Sequence, residues 1–120
     1  PKLTAVRESW ETGTPVQWVR IHKAPDYTYF NHAVHVNRGI SCYSCHGQIN
    51  QMEVVYQAKP LSMSWCLDCH RAPEEFIRPP SQVYNLNWRP ASQADQLAMG
   101  AQYVKEWNVK PPVTCGGCHR

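Results

Sequence analysis

The stretch Cys42-Tyr-Ser-Cys-His46 decides the fold of this 120-residue chain, and two later stretches repeat its pattern. Each reads C-x-x-C-H, the attachment sequence of c-type haem, in which two thiols bond to the porphyrin and the adjacent histidine binds the iron. The motifs contain all six cysteines, so the sequence predicts three covalently bound haems c. The predicted attachment residues are Cys42, Cys45, Cys66, Cys69, Cys115 and Cys118, and the axial ligands that follow them are His46, His70 and His119.

Other uses of paired cysteines fit these motifs less well. A thioredoxin-type redox pair normally occurs once, near a βαβ pattern that this sequence lacks. A zinc site takes four ligands, whereas each motif offers two thiols and one imidazole. A disulfide within one motif would close a very short loop with little entropic benefit, and it would leave the three histidines unexplained.

Composition predicts a small domain whose core is built mainly from haem. The mean hydropathy is −0.54, and ten prolines break the chain into short pieces. Five tryptophans and six tyrosines suit packing against macrocycles. We therefore expect one mostly irregular, partly α-helical domain over residues 1–120, with short helices and little or no sheet. We also expect the haem-free chain to lack a stable fold.

Turn residues and periodicity predict the elements. Strand candidates are Val16–Ile21 and Met52–Tyr56, a short helical turn lies within Tyr27–Val36, and a turn or short helix within Leu61–His70 carries the second motif. Pro73–Pro90 reads as an extended connector. Residues 1–90 would form a two-haem part, and residues 91–120 a helix with the third haem site.

The strongest helix prediction covers Ser92–Asn108. Ser92 is a plausible N-cap, and Pro111 and Pro112 follow the end. Four apolar residues fall on one face at helical spacing, and we expect this face to pack over a haem; they are Leu97, Ala101, Val104 and Trp107.

Charge and hydropathy limit the possible partners. The formal net charge is +3, and three ferric haems with their propionates would contribute about −3. The sequence contains no basic run or nucleic-acid motif, and no segment reaches the roughly 18 apolar residues of a membrane span. Because bacteria attach c-type haem outside the cytoplasmic membrane, we expect an extracytoplasmic location, with an export or anchoring segment upstream of Pro1.

The remaining histidines match the motifs in number. Three are left, His22, His32 and His35, which favours bis-histidine ligation of every iron. On a helical turn, His32 and His35 would point about 60° apart and could reach two neighbouring haems, with Phe30 packed on a macrocycle. Methionine is the competing ligand: the chain has Met52, Met63 and Met99, and Met99 is the next candidate for the third haem if His22 does not bind it.

These ligands favour electron transfer, because six-coordinate irons have no open position for a substrate. The alternative is a multihaem oxidoreductase with one substrate-binding haem, and a sensor or structural role is a third reading. No catalytic residue is predicted. Arg38, Arg71 and Arg78 are candidates to pair with haem propionates, or are solvated surface residues.

Phe30-Asn-His-Ala-Val-His35 followed by the first motif resembles the class III cytochromes c, of the c3 and c7 type. In that family the first histidine of such a pair binds the first haem and the second a neighbouring haem. The resemblance thus implies that His32 serves the haem of His46 and that His35 serves the haem of His70. His22 would then remain for the haem of His119.

A longer set of stretches is similar to the pentahaem cytochrome subunit of bacterial alternative complex III, a quinol-oxidising membrane assembly. They are Trp18–His22, Pro25–His32, Cys45–Gly47, Met52–Val55, Met63–Arg71 and Thr114–Arg120. This resemblance implies a place in a respiratory or photosynthetic membrane complex, with iron–sulfur or cytochrome subunits as partners. The family subunit carries five haems and an upstream anchor, whereas this sequence has three motifs.

Overall fold

The computed structural model describes residues 2–120, which form short helices joined by irregular chain. The α-helices are α1 (Thr4–Thr12), α2 (His32–Val36), α3 (Cys42–His46), α4 (Met63–Arg71), α5 (Gln93–Glu106) and α6 (Cys115–Cys118). Short 3₁₀ turns cover Ile49–Gln51, Pro73–Glu75 and Pro80–Gln82. The β-pairing in residues 2–120 consists of isolated bridges, Thr28 with His119 and Ile40 with Ile77. The predicted fold class, small and partly helical without a sheet, is confirmed.

Little of the chain is buried by other parts of the chain. The radius of gyration is 17.4 Å, whereas a globular domain of this length has about 14 Å. Across the described residues, the buried hydrophobic side chains are Ile77 and Val83. The polypeptide is therefore wrapped loosely and does not close on an apolar core of its own.

The two strand predictions are wrong. Val16–Ile21 and Met52–Tyr56 both run as irregular chain. Trp18 and Val19 are 84% and 81% exposed, and Val54 is 78% exposed. A strand gains its stability from a partner strand and from a buried face, and alternating apolar residues cannot supply these alone.

Helix α5 is confirmed, and its contact with the rest of the chain includes a polar face; the packing of its apolar face over a haem stays a prediction. Ser92 caps it, since its hydroxyl accepts a hydrogen bond from the Asp95 amide at 3.1 Å. The buried residues of the helix are Gln96 and Gly100, whereas Leu97 is 38% exposed. Gln96 Nε2 donates to the carbonyls of Glu74 and Ile77, at 3.0 and 2.8 Å. These hydrogen bonds satisfy two carbonyls of the neighbouring turn and hold the helix against it.

The helical turns expected before the first motif and at the second are also confirmed, as α2 and α4. The Pro73–Pro90 connector has little regular structure, as predicted, but it is packed rather than loose. The backbone of Arg78 donates to the carbonyl of Gly39 at 2.8 Å, beside the bridge between Ile40 and Ile77. The connector therefore lies against the segment that leads into the first motif.

Candidate functional site

Each C-x-x-C-H motif lies on a helical turn. The first forms the whole of α3, where the Ser41 hydroxyl accepts a hydrogen bond from the Tyr43 amide at 3.2 Å. The second occupies the C-terminal half of α4, and the third forms α6 with His119 directly after it. Residues three apart on a helix lie on the same side, so the paired thiols of a motif can face one ligand edge.

The thiols of the three motifs lie close enough together to influence one another. All six are free, and burial is the main cause that raises the pKa of Cys45, Cys66 and, to about 11, Cys69. Among the further causes, Cys66 acts on Cys45, and Cys118 acts on Cys66. A redox-active C-x-x-C pair has a lowered thiol pKa, whereas both thiols of the second motif have a raised pKa.

The zinc reading finds no support in the geometry. Within residues 2–120, no three side chains of His, Cys, Asp or Glu converge to hold a metal ion. Instead, four of the histidines form two pairs, each with one histidine of α2 and one histidine of a motif.

His32 of α2 and His46 of α3 face each other as parallel rings. Their ring centroids are 6.5 Å apart, with 2° between the planes. His35 and His70 form a second pair, at 6.1 Å and 32°. Two imidazoles that bind one iron, each with a metal–nitrogen distance of about 2 Å, have centroids about 6 Å apart. Both pairs therefore fit the two axial positions of a haem.

Helix α2 presents one member of each pair. Its first turn is capped by Asn31, whose Oδ1 accepts a hydrogen bond from the Ala33 amide at 2.9 Å. Phe30 lies against both histidines, 4.7 Å from the ring of His32 and 4.4 Å from that of His35. The cap and this aromatic contact hold the two rings in position, because they fix the start of a helix only five residues long.

Backbone carbonyls orient three of the ligand-type histidines. The Nδ1 atom of His35 lies 2.8 Å from the carbonyl of Asn31, and that of His70 lies 2.6 Å from the carbonyl of Pro112. His119 makes the same contact with Tyr27, at 3.1 Å. A carbonyl can only accept, so each Nδ1 carries the proton and each Nε2 keeps the lone pair that a metal needs.

Burial also favours the neutral form of two of the rings, because it lowers their pKa. It is the largest cause that lowers the pKa of His35, with His70 and His32 lowering it further and the hydrogen bond to the Asn31 carbonyl opposing. It likewise lowers the pKa of His46, with contributions from His22 and His32. A neutral imidazole is the form that binds a metal, so these environments suit ligands.

His22 is placed differently from the expectation that assigned it to the third haem. Its ring lies edge-on to His46, with centroids 4.3 Å apart, which is too close for both rings to share one iron. The Nε2 of His22 and the Nδ1 of His46 are buried, and neither has a hydrogen-bond partner in the part of the chain that the structure describes. Tyr27, and not His22, lies against His119, at 5.5 Å between centroids.

Tyr27 lies at His119 because the backbone around Tyr29 pairs with the third motif. The amide of Tyr29 donates to the carbonyl of Cys118 at 2.9 Å, beside the bridge between Thr28 and His119. This pairing places Tyr27–Tyr29 on the third motif. Met99, the next candidate for that iron, lines a surface groove with Trp88 and Pro90.

The three arginines proposed as propionate partners differ in exposure. Arg38 and Arg71 are exposed, whereas Arg78 is 5% exposed. Arg78 and Arg89 both lie over the ring of Tyr43, inside the first motif. Sequence reasoning missed Tyr43, Arg89 and the orienting carbonyls, because none of them stands in a pattern that marks its long-range contact.

A known protein family matches most of the chain, including this site. The family model described as cytochrome c7 and related cytochrome c matches residues 28–120, which include all three motifs and α2. The chain belongs to this family. It is therefore a multihaem c-type cytochrome that binds haem c and transfers electrons. No curated protein that was compared with the sequence matches it. No helix within residues 2–120 is long and apolar enough to cross a membrane.

Proposed function

We propose that this cytochrome conducts electrons through three haems c, one at each motif, and that the first two irons have two histidine ligands each. The observation that carries the proposal is the spacing of the two imidazole pairs, 6.5 Å for His32 with His46 and 6.1 Å for His35 with His70. The haem iron supplies one-electron redox chemistry. The chain contributes the covalent anchors, the ligands and their orientation.

The arrangement of α2 supports conduction between the first two haems. One helix of five residues would provide the distal ligand of both, so their separation would be set by a single rigid turn. Its two histidines are three positions apart, on one side of the helix. When the separation of two haems is short and fixed, the rate of electron transfer between them does not vary with the motion of a loop.

Haem counting tests the proposal. We expect three haems per chain from the pyridine haemochrome and from the intact mass, and low-spin spectra for the haems of His46 and His70. A variant with Cys115→Ser and Cys118→Ser should hold two haems and keep both low-spin signals. Fewer than three haems in the natural sequence would overturn the stoichiometry.

We further propose that the cytochrome works on the periplasmic side, as a subunit of a membrane complex that oxidises quinol. The similarity of Trp18–His22 and Met63–Arg71 to the pentahaem subunit of alternative complex III supports this role, as does the typically periplasmic location of the family. The N-terminal segment exposes Trp10 and Trp18, at 88% and 84%, and such large apolar side chains suit burial by a partner subunit.

Membranes that contain the cytochrome distinguish this role from that of a free carrier. We expect quinol to reduce its haems in native membranes and to leave the isolated chain oxidised, because the isolated chain lacks the quinol site. Purification in mild detergent should yield the chain together with other redox subunits. Recovery as a single soluble chain would contradict the complex and leave the haem proposal intact.

A second candidate function is an oxidoreductase whose third haem binds a substrate. It is favoured by the surroundings of His119, whose ring contact is Tyr27 rather than a second histidine. A high-spin signal in the resting oxidised protein, with rapid carbon monoxide binding to one haem after reduction, would support this candidate. Three low-spin haems that do not bind carbon monoxide would exclude it.

A further inference from the structure

Arg78 is a buried cation beside the first motif. Its side chain is 5% exposed, and its Nη1 donates to the carbonyl of Asn85 at 3.1 Å. The guanidinium carbon lies 5.4 Å from the ring centre of Tyr43 and 5.0 Å from that of Trp88. A neutral carbonyl and two aromatic rings hold this charge in place without neutralising it.

A second cation shares the same ring. The guanidinium of Arg89 lies 3.7 Å from the centre of Tyr43, and its Nη1 donates to the carbonyls of Leu86 and Trp88 at 2.9 and 2.7 Å. Its Nη2 donates to Oε1 of Gln48 at 3.2 Å, so the hydrogen bonds of both guanidinium groups go to neutral oxygens. Within residues 2–120, the groups that hold the two guanidinium cations are therefore neutral oxygens and aromatic rings.

This charge lies at the site of haem attachment. Tyr43 stands between Cys42 and Cys45, on the same helical turn as His46. The second motif has the opposite neighbour, since the carboxylate of Glu75 acts on Cys69. The first motif therefore has a buried cation over its Tyr43 ring, and the second has a carboxylate among the groups that act on its thiols.

Charge of this kind acts on a haem potential through elementary electrostatics. Reduction adds one negative charge to the haem, and a nearby cation stabilises that state. The stabilisation is larger for a buried cation than for one in water, because the interior has a lower effective dielectric constant. The burial of Arg78 and the neutral groups around it therefore strengthen its effect on the potential of a haem at this motif.

We propose that Arg78, together with Arg89, raises the reduction potential of the haem carried by Cys42 and Cys45, so that it accepts electrons from the haem carried by Cys66 and Cys69. This inference rests on the proposed function, since it requires a haem at each motif. Arg78 is a positioning and tuning residue, which leaves the iron ligands His32 and His46 unchanged.

Potentiometry of the three-haem protein tests the proposal. The readout is the fraction of each haem that is reduced, followed by NMR of the haem methyl groups, with the first haem assigned through contacts with Tyr43 protons. We expect Arg78→Gln to lower the equilibrium constant for reduction of the first haem at least tenfold, which is about 59 mV for one electron. The other two haems should change much less.

Matched variants separate charge from folding. Arg89 is exposed, so Arg89→Gln should lower the same equilibrium constant by only about threefold. Arg89→Lys keeps the charge but not the guanidinium contacts, so it should lower the constant by less than Arg89→Gln. Arg38→Gln removes an exposed charge near the same motif and should have no effect, because water screens it.

The outcomes are distinguishable. An equal shift from Arg38→Gln and Arg78→Gln, or an unchanged first haem in both Arg78→Gln and Arg89→Gln, would overturn the inference. A larger shift at the second or third haem would also overturn it. A protein that holds no haem at the first motif would instead contradict the proposed function.

Discussion

At the scale of the residue, His32 and His35 face different histidines although they are neighbours on one short helix. His32 lies parallel to His46, and His35 faces His70. The cap by Asn31 and the ring of Phe30 fix both. Loss of one imidazole should therefore affect one haem and leave the other with both ligands.

We predict that His32→Ala leaves one axial position vacant on the iron of the haem bound by His46, and that His35→Ala does the same for the haem bound by His70. Each variant should bind one more carbon monoxide per chain after reduction than the natural protein, and each should show one additional high-spin haem by electron paramagnetic resonance. Val34→Ala, an exposed change on the same helix, is the control and should do neither. If both histidine variants opened the same haem, the pairing would be wrong.

Gly39 is a second residue whose identity the structure explains. Its φ is +81°, and a Cβ atom there would lie 2.7 Å from the carbonyl oxygen of Arg78 and 3.0 Å from Cγ2 of Ile77. Only glycine accepts both the backbone conformation and this close approach. The pairing of the connector with the first motif depends on it.

We predict that Gly39→Ala lowers the free energy of unfolding of the haem-loaded protein by about 2–3 kcal/mol, from backbone strain and displacement of the connector. Gly13→Ala is the control: its φ is +67°, but no atom lies within 4 Å of the added Cβ. It should cost only about 1–2 kcal/mol. Denaturant titration of both variants measures the difference. Equal losses of unfolding free energy would show that the close contact between residue 39 and the Arg78 carbonyl does not contribute to stability.

At the scale of the element, α5 is positioned by contact with a backbone turn. Gly100 faces the carbonyl group of Glu74 so closely that an added Cβ would collide with it. Gln96, one turn earlier, donates to that same carbonyl and to the carbonyl of Ile77. The helix therefore joins the Pro73–Glu75 turn and the connector to the chain that leads to the third motif.

We predict that Gly100→Ala destabilises the protein, by about 1–3 kcal/mol, although alanine is the better helix former by about 1 kcal/mol. Helix propensity alone predicts that this substitution stabilises the protein. A measured loss of stability would therefore show that the collision with Glu74 outweighs the gain in propensity. Gly116→Ala in α6, where an added Cβ meets nothing within 4 Å, is the control and should not destabilise. Thermal unfolding of the two loaded variants compares them, and stabilisation by Gly100→Ala would disprove the close packing.

At the scale of the whole molecule, the chain depends on something other than its own apolar core. Its described part buries two hydrophobic side chains, Ile77 and Val83, and spans 51 × 37 × 22 Å. Hydrogen bonds between distant residues join its parts, such as His70 to Pro112 and Tyr29 to Cys118. Such hydrogen bonds orient the segments relative to one another. They contribute too little free energy to offset the loss of conformational entropy when about 120 residues fold.

We predict that a chain with all six attachment cysteines changed to serine has no cooperative unfolding transition and no near-ultraviolet circular dichroism. The physical reason is that haem would supply most of the buried apolar surface. The loaded natural protein, measured in parallel, should show both. A native-like spectrum from the haem-free variant would prove that the peptide folds unaided.

Local features of the sequence were predictable because they depend on neighbouring residues. Capping by Ser92 and the prolines after residue 110 predicted α5, and the spacing of His32 and His35 predicted a helical turn. The strand predictions for Val16–Ile21 and Met52–Tyr56 failed, since a strand requires a partner that periodicity does not reveal. The contact of Gln96 with the connector was not predicted, because the carbonyls that accept its hydrogen bonds belong to another segment.

The sequence by itself determined what the chain attaches. Each motif places two thiols and an imidazole within five residues, so covalent geometry alone predicts haem there. Only the tertiary structure decided which histidines face each other, that His22 lies beside His46, and that Arg78 is buried on Tyr43. These arrangements depend on contacts between residues far apart in the chain, such as His70 with Pro112, and a local pattern holds no record of such contacts.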